Sequence, residues 1–152
     1  MGNTNEHKDL PTIATLNLLL KGELSAVESY DRARPAVEDK PALRGDLQEC
    51  RASHELRVER IRRAILDQGG EPIHSSGAWG IFAKAVAGGA RALGWKTVIT
   101  TLEEGEDHGV HQYEENMPRL DEEIHTLVAT ELFPEQQHTH NVMSALKRGA
   151  TA

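Results

Sequence analysis

Five side chains able to bind a cation recur at matched positions along this sequence. Gly22-Glu23, followed by Val27 and Tyr30, returns as Gly105-Glu106, followed by Val110 and Tyr113. Glu23 precedes His54 by 31 residues and Glu106 precedes His138 by 32, with Glu135 one helical turn before His138. The duplication implies two equivalent hairpins, each setting a carboxylate opposite an imidazole. Carboxylates buried together are costly unless a positive group neutralises them. A metal would meet that need, and hard carboxylates combined with imidazoles suit iron or manganese, with zinc as an easy contaminant.

Helices must position these groups, because β-branched and aromatic residues nowhere alternate with polar ones over a strand's length. The spacing predicts helix A from about Thr12 to Arg34, with Pro11 in its first turn, Pro35 at its end and Ile13, Leu16, Leu20 and Val27 as its apolar stripe. Helix B runs from Pro41 to about Gln68, stopped by Gly69, Gly70 and Pro72, with Leu43, Leu47, Val58, Ile61 and Ile65 turned inward. Helix C starts near Trp95 and ends before Pro118, burying Val98, Leu102, Val110 and Met117. Its Gly105 and Gly109 allow a neighbour to approach closely. Helix D follows Asp121, an N-cap residue, and carries Ile124, Val128, Val142 and Leu146 toward Gly149, with a kink expected at Pro134. The connection between B and C is far longer than a hairpin turn. Within it, Ser75 and Ser76 can cap a short extra helix bearing Trp79, Phe82, Ala83, Val86 and Leu93. The expected fold is therefore all-α: a ferritin-like four-helix bundle with a long B–C crossover. Residues 1–10 form a flexible N-terminus and residues 11–149 a single domain.

Helical rise sets the polar groups at one depth. Glu23 lies twelve residues before Pro35, roughly 18 Å, and His54 thirteen after Pro41, roughly 20 Å. Glu106 lies twelve before Pro118, while Glu135 and His138 lie fourteen and seventeen beyond Asp121. These residues also interrupt the apolar stripes. Helix D reads Ile124, Val128, Glu131, Glu135, His138, Val142 and Leu146, helix A reads Leu16, Leu20, Glu23, Val27 and Tyr30, and helix B reads Leu43, Leu47, Cys50, His54 and Ile61.

Composition narrows the function. Seventeen basic against twenty-four acidic side chains give a net charge of −7, and no basic block offers a nucleic-acid footprint. The stretch from Ala78 to Trp95 is too short and too polar to span a bilayer. A single Cys50, most readily a small buried hydrophobe, and a polar beginning without a signal-peptide pattern lead to the expectation of a cytoplasmic protein. A homodimer is the simplest assembly expected. Glu104, His108 and His111, at i, i+4 and i+7, form a second group on one face of helix C, where two imidazoles could share a transition metal on a face expected to be solvated.

Leu16-Asn17, Leu19-Leu20, Glu23-Leu24, Ala26 and Tyr30 resemble the first helix of bacterioferritins, and Glu135-Gln-Gln-His138 is similar to the ferritin-like Glu-x-x-His metal motif. Gly69-Gly70-Glu71-Pro72 and Glu104-Gly105-Glu106-Asp107 before Tyr113 look closer to an uncharacterised bacterial group, a ferritin-like domain of unknown function. The resemblance implies metal ligation by Glu23, His54, Glu106, Glu135 and His138, with Tyr30 and Tyr113 behind them, and chemistry such as Fe(II) oxidation in iron handling or oxidative stress. The residue three before His54, where a bridging Glu belongs, is Arg51. The alternative expectation is a metal-free bundle acting by association, with a buried polar network centred on Arg51 and a contact surface around Trp79 and Phe82.

Overall fold

A computed structural model describes residues 9–77 and 94–151, all helix or short connection among the described residues. Helix α1 spans Leu10–Ala33. It is capped by the Asp9 carboxylate, which accepts from the Thr12 amide at 3.1 Å, and Pro11 occupies its first turn, where no N–H is needed. A 3₁₀ turn, Arg34–Val37, leads to α2, Pro41–Asp67. Gly69, at φ 76°, ends α2 in the left-handed region that a side chain would resist. Helix α3 spans Trp95–Asn116 and gives way to a 3₁₀ turn, Met117–Arg119, at Pro118. These limits agree with the sequence-based boundaries within about two residues. The helix expected around Trp79 and Phe82 lies outside the described residues.

The fourth helix is built in three pieces. Asp121 caps α4, Glu122–Leu127, accepting from the Ile124 amide at 2.9 Å. A π-helical turn, Val128–Leu132, follows, and α5 runs Phe133–Thr151. Proline is the physical cause. Pro134 has no N–H to offer the carbonyl of Thr130, and its ring crowds that carbonyl. The backbone widens instead, and the Phe133 amide reaches back five residues to Val128. Such a turn inserts one residue into the helical phase, so everything after it is rotated about the helix axis relative to an unbroken α-helix.

Antiparallel pairing follows from the side-chain contacts. Tyr30 meets Glu106 while Glu23 meets Tyr113, so α1 and α3 run oppositely. Ser53 meets Glu135 and Arg60 meets Glu131, so α2 opposes the fourth helix. Helices α1 and α2 form one hairpin and α3 and α5 the other. Since α1 opposes both α2 and α3, the latter two are parallel. The described chain after α2 lies against α1: the Ile73 amide donates to Asn17, and the Ser76 hydroxyl donates to Glu28, three turns further along that helix.

The apolar core divides into two ends. Leu16, Leu20, Ile61, Ile65, Val128 and Leu132 fill one, and Ala33, Val37, Leu47, Ile99, Leu102 and Met143 the other. A layer of buried polar groups lies between them. No helix among the described residues is long and apolar enough to cross a membrane.

Candidate functional site

Glu23 from α1, His54 from α2 and Glu106 from α3 meet at the centre of the bundle, each about 2–3 % exposed. The imidazole sits between the two carboxylates. Its Nδ1 lies 2.5 Å from Glu23 Oε2 and its Nε2 2.6 Å from Glu106 Oε1. A neutral imidazole donates from only one nitrogen, so an acceptor at each nitrogen marks this ring as imidazolium. Burial and the Arg57 charge push its pKa down, but Glu106 and Glu23 outweigh them and raise it above the ordinary histidine value.

Tyr30 and Tyr113 complete an internal symmetry. Tyr30 Oη donates to Glu106 Oε1 and Tyr113 Oη to Glu23 Oε1, each at 2.6 Å. Each repeat thus hands its tyrosine to the other repeat's glutamate. Two antiparallel helices, each with a tyrosine two turns beyond its glutamate, produce this exchange. Burial and the adjoining carboxylate drive both phenols well above their usual range, so they act as hydroxyl donors.

The remaining positive charge is Arg57, 1 % exposed. Its guanidinium donates to Glu23 Oε1 at 3.2 Å, to Thr139 Oγ1 at 3.1 Å and to Gln136 Oε1. Glu106 Oε2 accepts from the Gln136 amide and the Thr139 hydroxyl, both at 2.8 Å. Two carboxylates therefore face one guanidinium and one imidazolium, and every carboxylate oxygen has a donor. Burial raises the Glu106 pKa, but the His54 charge and hydrogen bond and the Arg57 charge prevail and hold it at about 2. Glu23 is lowered too, Arg57 and His54 overcoming its desolvation.

Three sequence-based placements need correction. Glu135 and His138 lie on the exposed face of α5, and Gln136 and Thr139 hold the core positions expected for them. The π turn is the reason: one extra residue advances the phase by about 100°, so the stripe after Val128 reads Leu132, Gln136, Thr139 and Met143. Glu131 turns outward by the same step and pairs with Arg60. Arg51 is the third. It stays at the surface, 2.6 Å from Asp31 and 2.9 Å from Glu55, and the network is centred on Arg57 instead. Arg57 was legible: it follows His54 by three residues and precedes Ile61 by four, on the stripe already traced. Cys50 is buried as expected, with its thiol pushed up to about 12 chiefly by desolvation and Glu106.

Among the described residues no three His, Cys, Asp or Glu side chains are grouped to hold a metal ion, and this includes Glu104, His108 and His111 on α3. In the central layer the donor chemistry argues against a metal as well. The carboxylate oxygens are taken by N–H and O–H donors, and a guanidinium adjoins Glu23 where a metal would have to displace it.

A cleft between α1 and α3 leads to this layer. Gly22, Ser25, Ala26 and Ser29 on one side and Gly105 and Gly109 on the other leave a cavity of about 50 Å³, reaching Tyr30, Tyr113, His54 and both glutamates. Gly109 is required by the Gln136 amide: a Cβ there would stand 2.5 Å from Nε2 and 2.9 Å from Cδ. That amide is held by Glu106 and Arg57 and cannot step aside freely. Gly109→Ala is expected to cost about 1–3 kcal/mol in chemical denaturation, and an unchanged midpoint would show that Gln136 is not fixed.

Comparison with known proteins adds one match. Residues 11–118, which cover α1 except Leu10, and all of α2 and α3, match the family described as Domain of unknown function (DUF2383). No curated protein and no solved structure matches the chain.

Proposed function

Starting from the chain's membership of the DUF2383 family, we propose that it is a ferritin-like bundle that has replaced a metal centre by its own cations and serves as a binding module through the α1–α3 cleft. The ferritin-like reading is supported by parallel α2 and α3 whose connection, from Asp67 to Trp95, is far longer in sequence than a hairpin turn. It is supported also by the layout of the central layer. Di-iron members of that fold take one Glu from each of two helices and a Glu-x-x-His pair from each of the other two. Here Glu23 and Glu106 occupy the first kind of place. The i, i+3 pairs that join them are His54 with Arg57 and Gln136 with Thr139.

The observation that carries the proposal is the Arg57 guanidinium on Glu23. With His54 protonated, the layer is neutral without a metal. Iron, manganese or zinc would have to expel that guanidinium or strip the carboxylates of their donors, so the iron-oxidase and oxidative-stress roles suggested by the bacterioferritin resemblance find no fitting ligand set. No redox step is assigned to Tyr30 or Tyr113.

Elemental analysis of untagged protein, followed by anaerobic Fe(II) titration and exposure to air, tests this. Metal well below one equivalent and no oxo-bridged absorbance are expected. Near-stoichiometric iron that disappears in Glu23→Ala would overturn the proposal. The converse substitution, Arg57→Glu, exchanges the internal cation for an acid beside His54. It should make the bundle depend on an added divalent ion, read as a rise in melting temperature with Co(II) or Zn(II) that the parent protein does not show.

A further inference from the structure

Helix α2 turns one face to the core and the opposite face to water, and the wet face is not uniformly polar. Leu56 and Leu66 are 54 % and 58 % exposed, two of the three large apolar side chains left in solvent among the described residues. Exposed leucines scattered singly are ordinary on a monomer. These two belong to a pattern. At about 100° per residue, Leu56, Glu59, Arg63 and Leu66 all fall within roughly 40° of the direction opposite Ile61, which is fully buried. Their steps of three, four and three residues are those of a coiled-coil seam.

The order of the four is its own complement. Leu56 and Leu66 lie five residues to either side of Ile61, and Glu59 and Arg63 lie two residues to either side. Turned end over end, the run sets leucine against leucine and acid against base. A parallel alignment would set Glu59 on Glu59 and Arg63 on Arg63, so charge selects the antiparallel one. Within one copy these two groups have only loose, exposed partners: Glu59 lies 3.5 Å from Arg62, and Arg63 lies 3.5 Å from Asp67. Exchanging such pairs for new ones costs little.

A groove of about 340 Å³ runs beside the seam, between α2 and α4. Arg63 edges it, and Ala64, Ile124 and Leu127 give it an apolar floor. Leu56 falls on the groove's side of the seam.

We propose that two copies of the chain associate through α2, antiparallel and related by a two-fold axis at the level of Ile61. Leu56 packs on the partner's Leu66 and Glu59 pairs with the partner's Arg63, each contact occurring twice, and the partner's Leu56 comes to the mouth of the groove. So short a seam makes a small interface, and the dimer is half formed at a concentration on the order of 100 µM. It is independent of the α1–α3 cleft, to which α2 contributes only the buried His54.

Sedimentation velocity of the full-length protein, from about 10 µM to about 1 mM, should show a reversible monomer–dimer equilibrium. Leu56→Ser and Leu66→Ser should each weaken it at least tenfold while leaving the melting temperature of the dilute protein unchanged. Leu10→Ser, which alters an exposed leucine on α1, should leave it intact. The decisive test uses charge reversal. Glu59→Arg and Arg63→Glu should each be monomeric alone, because every ionic contact then joins like charges. Mixed one to one, they should form a heterodimer, since each variant supplies the charge that the other lacks, and the double change Glu59→Arg with Arg63→Glu should dimerise like the parent. A parent that stays monomeric at about 1 mM would overturn the proposal without any variant having to fold. A dimer indifferent to both leucine changes, or two folded charge variants that ignore each other when mixed, would overturn it as well.

Discussion

Arg57→Met should lower the unfolding free energy by about 3–5 kcal/mol, the cost of removing one partner from a buried ion pair. Methionine occupies a comparable volume, so the loss is electrostatic in origin. Glu23 keeps its negative charge at 3 % exposure with only His54 to offset it, and the Gln136 carbonyl and Thr139 hydroxyl lose their donor. Arg51→Met is the matched control. Arg51 pairs with Asp31 and Glu55 in contact with water, and its loss should cost within about 1 kcal/mol. A double change of Arg57→Met with Glu23→Gln should recover part of the loss, because the orphaned charge is removed with its partner. Urea denaturation of these three variants beside the parent protein measures all of this. If Arg57→Met and Arg51→Met are equally mild, the central layer is not an obligate ion network.

The second large effect is on the pH dependence of stability, with opposite signs at its two ends. Glu106 is held at about 2 in the folded protein against an ordinary 4.5. A depressed carboxyl stabilises the fold above its unfolded pKa, and that contribution, on the order of 3 kcal/mol, disappears as pH falls from about 4.5 toward 2. His54 behaves oppositely. Its folded pKa is raised above 6.5, so its contribution is complete below about 6.5 and is lost as pH climbs through the folded value. The protein should therefore be most stable in the mildly acidic range between these limits. Glu106→Gln should flatten the acid limb and His54→Gln the alkaline limb, in denaturation curves recorded from pH 3 to pH 10. An alkaline limb that persists in His54→Gln would assign the titration to another group.

The origin of these effects also explains how far the sequence could be read. Glu23, His54 and Glu106 were found because each interrupts an apolar stripe within an unbroken helix, where a period of 3.6 residues carries the phase reliably from one turn to the next. The duplicated Glu and Tyr spacing pointed to two related hairpins. It did not reveal that each tyrosine crosses to the other repeat, since that depends on the antiparallel placement of α1 and α3. The fourth helix failed for one identifiable reason. A proline was recognised as a disturbance, but whether a proline bends a helix, breaks it or widens one turn is settled by what the following residues pack against. Here the widened turn buries Leu132 and Met143 and leaves Glu135 and His138 at the surface. A helical wheel drawn straight through Pro134 had carried the wrong face into the core.

By itself the sequence determined the helices, their ends and the depth of a polar layer, because proline, glycine and capping residues act locally and helical rise is constant. Tertiary structure alone decided which polar groups fill that layer and how they are neutralised. The choice of Arg57 over Arg51, and of Gln136 and Thr139 over Glu135 and His138, rests on the rotation of each helix about its axis, a quantity fixed by packing among all four helices at once.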